Sequence, residues 1–339
     1  MMFTRQNVWE LGADWADPIL WYARGVKAMK AQGLNQLSAW RFFGAIHGID
    51  QQLWRQLGYL TGSDQMPTAS VVATFWKECQ HGSWYFLPWH RGYLIAFEAA
   101  IRDAISRLPG APVDWALPYW NYLKPNQNAL PAAFASPNWP DGMGDNPLYV
   151  LERYGPDNNG SVYVPTDQVD LNALNDPEFV GPGSGGSQGF GGIDTGFSHA
   201  GNVHGGVETE PHDQVHGLVG GSDPQSNLPG LMSDPDTAGL DPIFWLHHAN
   251  IDRLWEVWRQ MPTSQGNPTD PNWLGGPTAV GGRAFVMPMP SGQNWTYTPA
   301  DMTNLSTLGY GYDDTTPPAT APQLAARLQS LSAPPPPSA

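Results

Sequence analysis

Nine histidines stand among the 339 residues, and their placement suggests chemistry before anything else does. His212 and His216 are four apart, so on a helix they leave one face and can grip a single ion. His248 shares an apolar stripe with Phe244, Ile251, Trp255 and Trp258 and can complete a three-nitrogen site. His90 lies on a stripe with Leu94, Phe97 and Ile101. His81 precedes it in the connection leading to that stripe, and His47 closes a shorter apolar segment. Two sets of three imidazoles on four helices would then face each other across a bundle core. Histidine is costly to bury unless it is hydrogen-bonded or bound to metal. A shell of imidazoles alone suits zinc, copper, iron and nickel, with copper(II) at the head of the affinity order, whereas calcium and magnesium want oxygen ligands. Catalytic zinc on three histidines is the competing reading. Two such sites facing one another point instead to a pair of redox metals, and two copper ions so placed can bind one O2 between them. His199 and His204, in a glycine-rich stretch, read as surface or hydrogen-bonded imidazoles.

The elements that must position these groups are helical. Asp17-Pro18 is a good helix start, followed by Ile19, Tyr22, Val26 and Met29 on one stripe. A second helix runs through Leu37, Trp40 and Phe43 towards His47. A third follows Pro88 and ends near Pro109-Gly110. A short fourth begins at Pro211 and stops at Gly220-Gly221, and a fifth starts at Asp241-Pro242. Residues 124–206 are rich in Pro, Asn, Gly and Asp and read as irregular loops over a helical core. Within them Gly181, Gly183 and Gly186 spell G-x-G-x-x-G, but no convincing strand precedes it and no helix comes after it, so chance explains it better than a dinucleotide site. A few short strands are expected over 275–312, and the Pro- and Ala-rich stretch 313–339 reads as a disordered tail.

Composition narrows the partners. Sixteen Lys and Arg against 31 acidic residues give a net charge of −15, which argues against nucleic acid and anionic membrane surfaces. No run reaches transmembrane length, and the first residues lack the basic start and apolar core of a secretory signal, so a cytoplasmic location is expected, with export on a partner as the alternative. A single cysteine, Cys79, rules out an internal disulfide framework.

The stretches HGSWYFLPWHRGYLIAFEAAI (81–101), PHDQVHGLVGG (211–221) and DPIFWLHHANIDRLWEVW (241–258) resemble the copper motifs of the tyrosinase and polyphenol oxidase family, and GAIHGID (44–50) resembles the segment carrying its first ligand. The likeness spans roughly residues 5 to 312. It implies a mainly α fold, a four-helix bundle around a dicopper centre, with long irregular loops and a few short strands, in one catalytic domain over residues 1–312. It assigns His47, His81 and His90 to the first copper and His212, His216 and His248 to the second. His248 is chosen over its neighbour His247 because the family places its ligand seven residues after the Asp that opens this motif, here Asp241. His247 then stands behind the ligands, and Asp252 is expected either to accept an imidazole N–H or to pair with an arginine. Family members with a cysteine two residues before the second ligand join the two by a thioether, which here would be Cys79 to His81; a small buried thiol is the alternative. Glu208 matches an acid that orients a water near copper in plant-type members. Asp213 stands where hydroxylating members often carry Asn. The Y-x-Y of Tyr310 and Tyr312 resembles the marker that ends the family's catalytic domain. The stretch beyond Tyr312 is too short for a shielding domain, so the site is expected to be open unless a partner covers it.

The resemblance implies ortho-hydroxylation of monophenols and oxidation of o-diphenols to o-quinones, with small phenols as substrates and room for a copper-delivery partner. A catechol or o-aminophenol oxidase lacking efficient hydroxylation is the nearest alternative, and haemocyanin-like oxygen binding a more distant one. Glu208 and Asp213, as helix-start acids favoured by the dipole or as proton acceptors, are expected to make the site favour ammonium-bearing phenols over carboxylated ones.

Overall fold

The computed structural model describes residues 2–141, 144–182 and 187–318. Five helices carry the architecture: α1 (Asp17–Lys30), α2 (Trp40–His47), α3 (Phe86–Ser106), α4 (Gln214–Gly220) and α5 (Pro242–Arg259). Short strands decorate them. β1 (Phe3–Arg5) pairs in parallel with β6 (Tyr310–Tyr312), β2 (Val180–Gly181) with β3 (Gly192–Ile193), and β4 (Phe285–Pro288) forms an antiparallel hairpin with β5 (Asn294–Tyr297). The tail reading falls mostly on 319–339, and the Gly-x-Gly reading partly on 183–186; both stretches lie outside the described residues.

Helix starts match the sequence closely where a cap is present. Asp241 accepts a hydrogen bond from the Ile243 N–H and Pro242 supplies a fixed φ, so α5 begins where the motif begins. Arg153 grips the same carboxylate at 2.6 Å, with both partners buried. Helix α3 starts earlier than expected, at Phe86, because Pro88 falls within its first turn, where the missing N–H has no partner to lose. The fourth helical segment begins where expected: Glu210 is extended (φ −150°, ψ 124°), and the turn from Pro211 leads into the regular α-helix at Gln214.

Helices α1 and α3 approach closely at Gly25, where a Cβ would lie 2.9 Å from the Ile101 side chain. Between α3 and α5, Phe97 stacks on Trp245 with ring centroids 3.4 Å apart. The polar counterpart of this packing is a buried ion network. Arg91 donates to Asp252 at 2.5 Å, and Arg5 donates to Glu98 at 2.7 Å and to Asp252 at 3.1 Å. Tyr310 and Tyr312 add hydroxyl hydrogen bonds to the same Asp252 oxygen. The Asp252 carboxylate thus holds arginines and tyrosines, and among the described residues it makes no hydrogen bond to an imidazole. Arginine is what a carboxylate needs at this depth, since an unpaired buried charge is far more costly than a paired one.

Candidate metal centre

The six histidines picked out by spacing come together. Among His47, His81 and His90 the ring centroids are 5.2, 5.3 and 5.6 Å apart. Among His212, His216 and His248 they are 4.5, 4.9 and 5.4 Å apart. The two triads touch, with His90 stacked on His248 at 4.6 Å. Phe86 packs on His90 and His212, and Phe244 on His47 and His248, so apolar rings wedge both sets in place.

Four of the rings are aimed by their second nitrogen. The Nδ1–H of His47 donates to the Pro235 carbonyl (2.8 Å), that of His90 to the Phe86 carbonyl one turn back (2.8 Å), that of His216 to the Met232 carbonyl (2.7 Å), and that of His212 to the Asp213 carboxylate (2.8 Å). Each bond fixes the tautomer and leaves a bare Nε2 facing inward, the usual outer support of a metal-binding histidine. The Nε2 atoms of His47, His90 and His212 are buried without any hydrogen-bond partner. Those of His216 and His248 lie 3.2 Å apart, about the separation of two nitrogens each ~2.0 Å from one tetrahedral ion. Burial and neighbouring imidazoles hold His47, His81, His90 and His248 well below the usual histidine range, and burial brings His216 down to about 3. These rings are neutral near pH 7, as ligation requires. Orphaned buried nitrogens, a neutral tautomer and an all-imidazole donor set fit copper.

His247 is also buried, 4.8 Å from the ring of His216 and 5.6 Å from that of Tyr122, with both nitrogens unpartnered. It falls within one potential metal-holding group with His212, His216 and His248, whereas only His248 also belongs to a group with His47 and His90.

Cys79 is buried with Sγ 3.3 Å from His81 Nδ1, and equally close, 3.2 Å, to His199 Nδ1. Burial pushes its thiol up. The loop carrying His199 is stitched to the first triad: the His81 N–H donates to the Ser198 carbonyl and the Gly201 N–H to the His81 carbonyl, both at 3.0 Å. Gly82 permits this, with φ +59° and a would-be Cβ only 2.5 Å from the Gly201 backbone. Its own N–H donates to both oxygens of Glu208. Glu208 is fully buried, and burial raises its carboxyl to about 8.

Asp213 is half-buried and shared by two imidazoles, His212 and, at 2.7 Å, His204. Burial works against this carboxylate, but the two hydrogen bonds outweigh it and hold the group well below the ordinary Asp range. His204, bonded to Asp213, is raised to about 9. A cavity of about 370 Å³ opens over the triads, with Asp213, His199, His204 and Pro235 in its wall. His199 and His204 are thus hydrogen-bonded imidazoles, one of the two readings the sequence left for them, and they stand in the cavity wall. Their positions in a glycine-rich loop gave no periodicity to read; the one available signal was two more histidines in a chain poor in charge.

The model of the common central domain of tyrosinase matches residues 37–189 and 184–261. A tyrosinase of Hahella sp. (strain CCB-MM4) is 40% identical over 283 residues, which is 80% of this chain and 56% of that protein. A chloroplastic polyphenol oxidase of Solanum lycopersicum is 33% identical over 211 residues, 58% of this chain and 34% of its own. The chain therefore spans just over half the length of the first relative and about a third of the second. Among solved structures, latent apple tyrosinase superposes with a TM-score of 0.64 at 24% identity, covering 96% of this chain and 64% of that one. The tyrosinase of Burkholderia thailandensis gives 0.61 at 20% identity, covering 98% and 77%. With its central motifs matched from residue 37 to 261 and its helices superposing on those of tyrosinases, this chain belongs to the tyrosinase family.

Proposed function

We propose that the protein is a copper-dependent phenol oxidase, with His47, His81 and His90 holding one copper and His212, His216 and His248 the other. The observation that carries this reading is the pair of facing imidazole triads whose bare Nε2 atoms converge beneath an open cavity. Two copper ions held there would supply O2 activation and pass the phenol's electrons to O2. The protein's own groups do the rest. The Nδ1 anchors keep the ligand rings from turning, and Phe86 and Phe244 pack their apolar rings against both triads. Glu208, buried and bonded through both oxygens to the Gly82 N–H, is the group we assign to holding a proton or a water for the incoming phenol. Asp213 serves first to orient His212. His247 stands behind the ligands, and Cys79 is placed for a thioether to His81.

The finer reading is ortho-hydroxylation of small monophenols and then release of the o-quinone; catechol or o-aminophenol oxidation without hydroxylation is the alternative. Oxygen uptake by copper-loaded protein, with a monophenol, a catechol and an o-aminophenol compared side by side, separates them. Uptake with all three supports the full reading. Uptake with the last two alone reduces it to a plain oxidase, and reversible O2 binding without turnover would make it a carrier. Among the described residues no helix is long and apolar enough to cross a membrane.

A further inference from the structure

Two of the ring anchors at the metal centre come from one short loop. The Met232 carbonyl accepts the Nδ1–H of His216 at 2.7 Å, and the Pro235 carbonyl accepts that of His47 at 2.8 Å. His216 belongs to the second triad and His47 to the first, so residues 231–237 bond to both. A carbonyl only accepts, so each bond needs a hydrogen on Nδ1 and holds whether or not the ring carries a charge. The ligand-bearing segments press on this loop through glycines. A Cβ at Gly48, next to His47, would lie 2.7 Å from the Pro235 oxygen, and one at Gly220, at the end of the helix of His216, 2.3 Å from the Ser233 nitrogen. Thr237 closes the loop from within: its buried hydroxyl lies 2.8 Å from the Leu231 carbonyl and 3.2 Å from that of Asp234. From outside, the indole N–H of Trp54, on the short helix Gln51–Gln56, donates to the Asp236 carbonyl at 2.6 Å.

We propose that residues 231–237 are one brace shared by the two triads, and that Thr237 is the positioning residue that sets the spacing of its two anchoring carbonyls. The proposal rests on the phenol-oxidase reading, taking the triads as its copper sites, and adds a link between them that runs outside the metals. Both acceptors belong to the backbone of a single loop, so a shift in that loop reaches both sites. Without the Thr237 hydroxyl the loop loses its internal closing bond, and the anchors of His47 and His216 loosen together. The anchor of His90 is independent of the loop, because its acceptor is the Phe86 carbonyl of its own helix.

The test compares wild type with Thr237→Val, which keeps the shape and removes the hydroxyl, and Thr237→Ser, which keeps the hydroxyl. In the copper-free, full-length chain carrying isotope-labelled histidine, exchange of each Nδ1–H with water is followed by NMR. Thr237→Val should speed exchange at both His47 and His216 by about tenfold, as loss of one buried hydrogen bond allows, and leave His90 unchanged. Thr237→Ser should match wild type. A general loss of stability would move all three rings, so equal acceleration at His90 overturns the proposal. So does a change at only one of His47 and His216, or a serine variant that behaves like the valine one. In copper-loaded protein, competition with a chelator should show both ions held about tenfold less tightly in Thr237→Val; one ion held as in wild type overturns the shared brace. If Thr237→Val does not fold, Trp54→Phe removes the donor to Asp236 while keeping an aromatic ring, and the same pattern over the three rings is expected. Wild-type protein that takes up no copper would instead sink the phenol-oxidase reading, and the exchange rates of the copper-free chain would still decide the brace.

Discussion

His247 and His248 are adjacent, buried and both close to the second triad, so spacing alone could not separate them; both belong to an apolar stripe. Geometry adds a distinction, because His248 faces His216 at 3.2 Å and stacks on His90, while His247 turns towards Tyr122. We expect His248→Ala to bind about one copper per chain, measured by metal analysis after dialysis. His247→Ala should keep two ions with affinity lowered roughly ten- to hundredfold; the opposite ranking would exchange their roles. At Cys79 the sequence offered one neighbour and the structure offers two, His81 and His199. If the thioether forms, with O2 taking the two electrons, the intact mass falls by two hydrogens and Cys79 resists alkylation. Full alkylation of Cys79 in active protein would refute the cross-link. What the sequence could not carry at this scale were contacts made through loops. His199 and His204 reach the site only because residues 198–204 fold back on Gly82, and no periodicity encodes a backbone fold of that kind.

Helices were the most legible level, since four of the six ligands ride on or beside apolar stripes with a period near 3.6. The early start of α3 has a local cause, since Pro88 is tolerated in its first turn, whereas the break at Glu210 sits just before Pro211, where the sequence sets the start of the fourth segment. Helix α5 has the clearest start, and it depends on Asp241, which caps the helix while neutralising Arg153 in a buried setting. Asp241→Asn retains a cap but leaves Arg153 without its counter-charge. Removing one partner of a buried pair costs about 3–5 kcal/mol, so the midpoint of urea unfolding should drop accordingly while the slope stays unchanged. A loss below about 1 kcal/mol would show that Arg153 finds water or another acceptor.

For the molecule as a whole, the imidazoles that make the centre also make the metal-free protein acid-sensitive. His47, His81, His90, His247 and His248 sit well below their ordinary value and His216 near 3. An unfolded chain takes up protons on these groups below about pH 6.5, and the folded one does not. Their contribution to stability is therefore complete above that pH and is lost as the pH falls towards the folded values. Thermal melts of copper-free protein should show Tm declining steeply from about pH 6.5 to 4, with copper-loaded protein holding on further because bound metal must be displaced first. A flat apo profile would mean that the rings are not buried as neutral groups.

The pairing of β1 with β6 has a consequence in time rather than in space. Arg5 bonds Glu98 on α3, Asp252 on α5 and the hydroxyl of Tyr312, 307 residues further along the chain. During synthesis Arg5 emerges early and waits for almost the entire domain before its last partner appears. The part of the clamp between the helices of His90 and His248 that runs through Arg5 is thus complete only when translation of the domain is nearly so. We therefore expect copper to be held more tightly by the finished domain than by a chain that stops short of Tyr310, which metal analysis of the two would show.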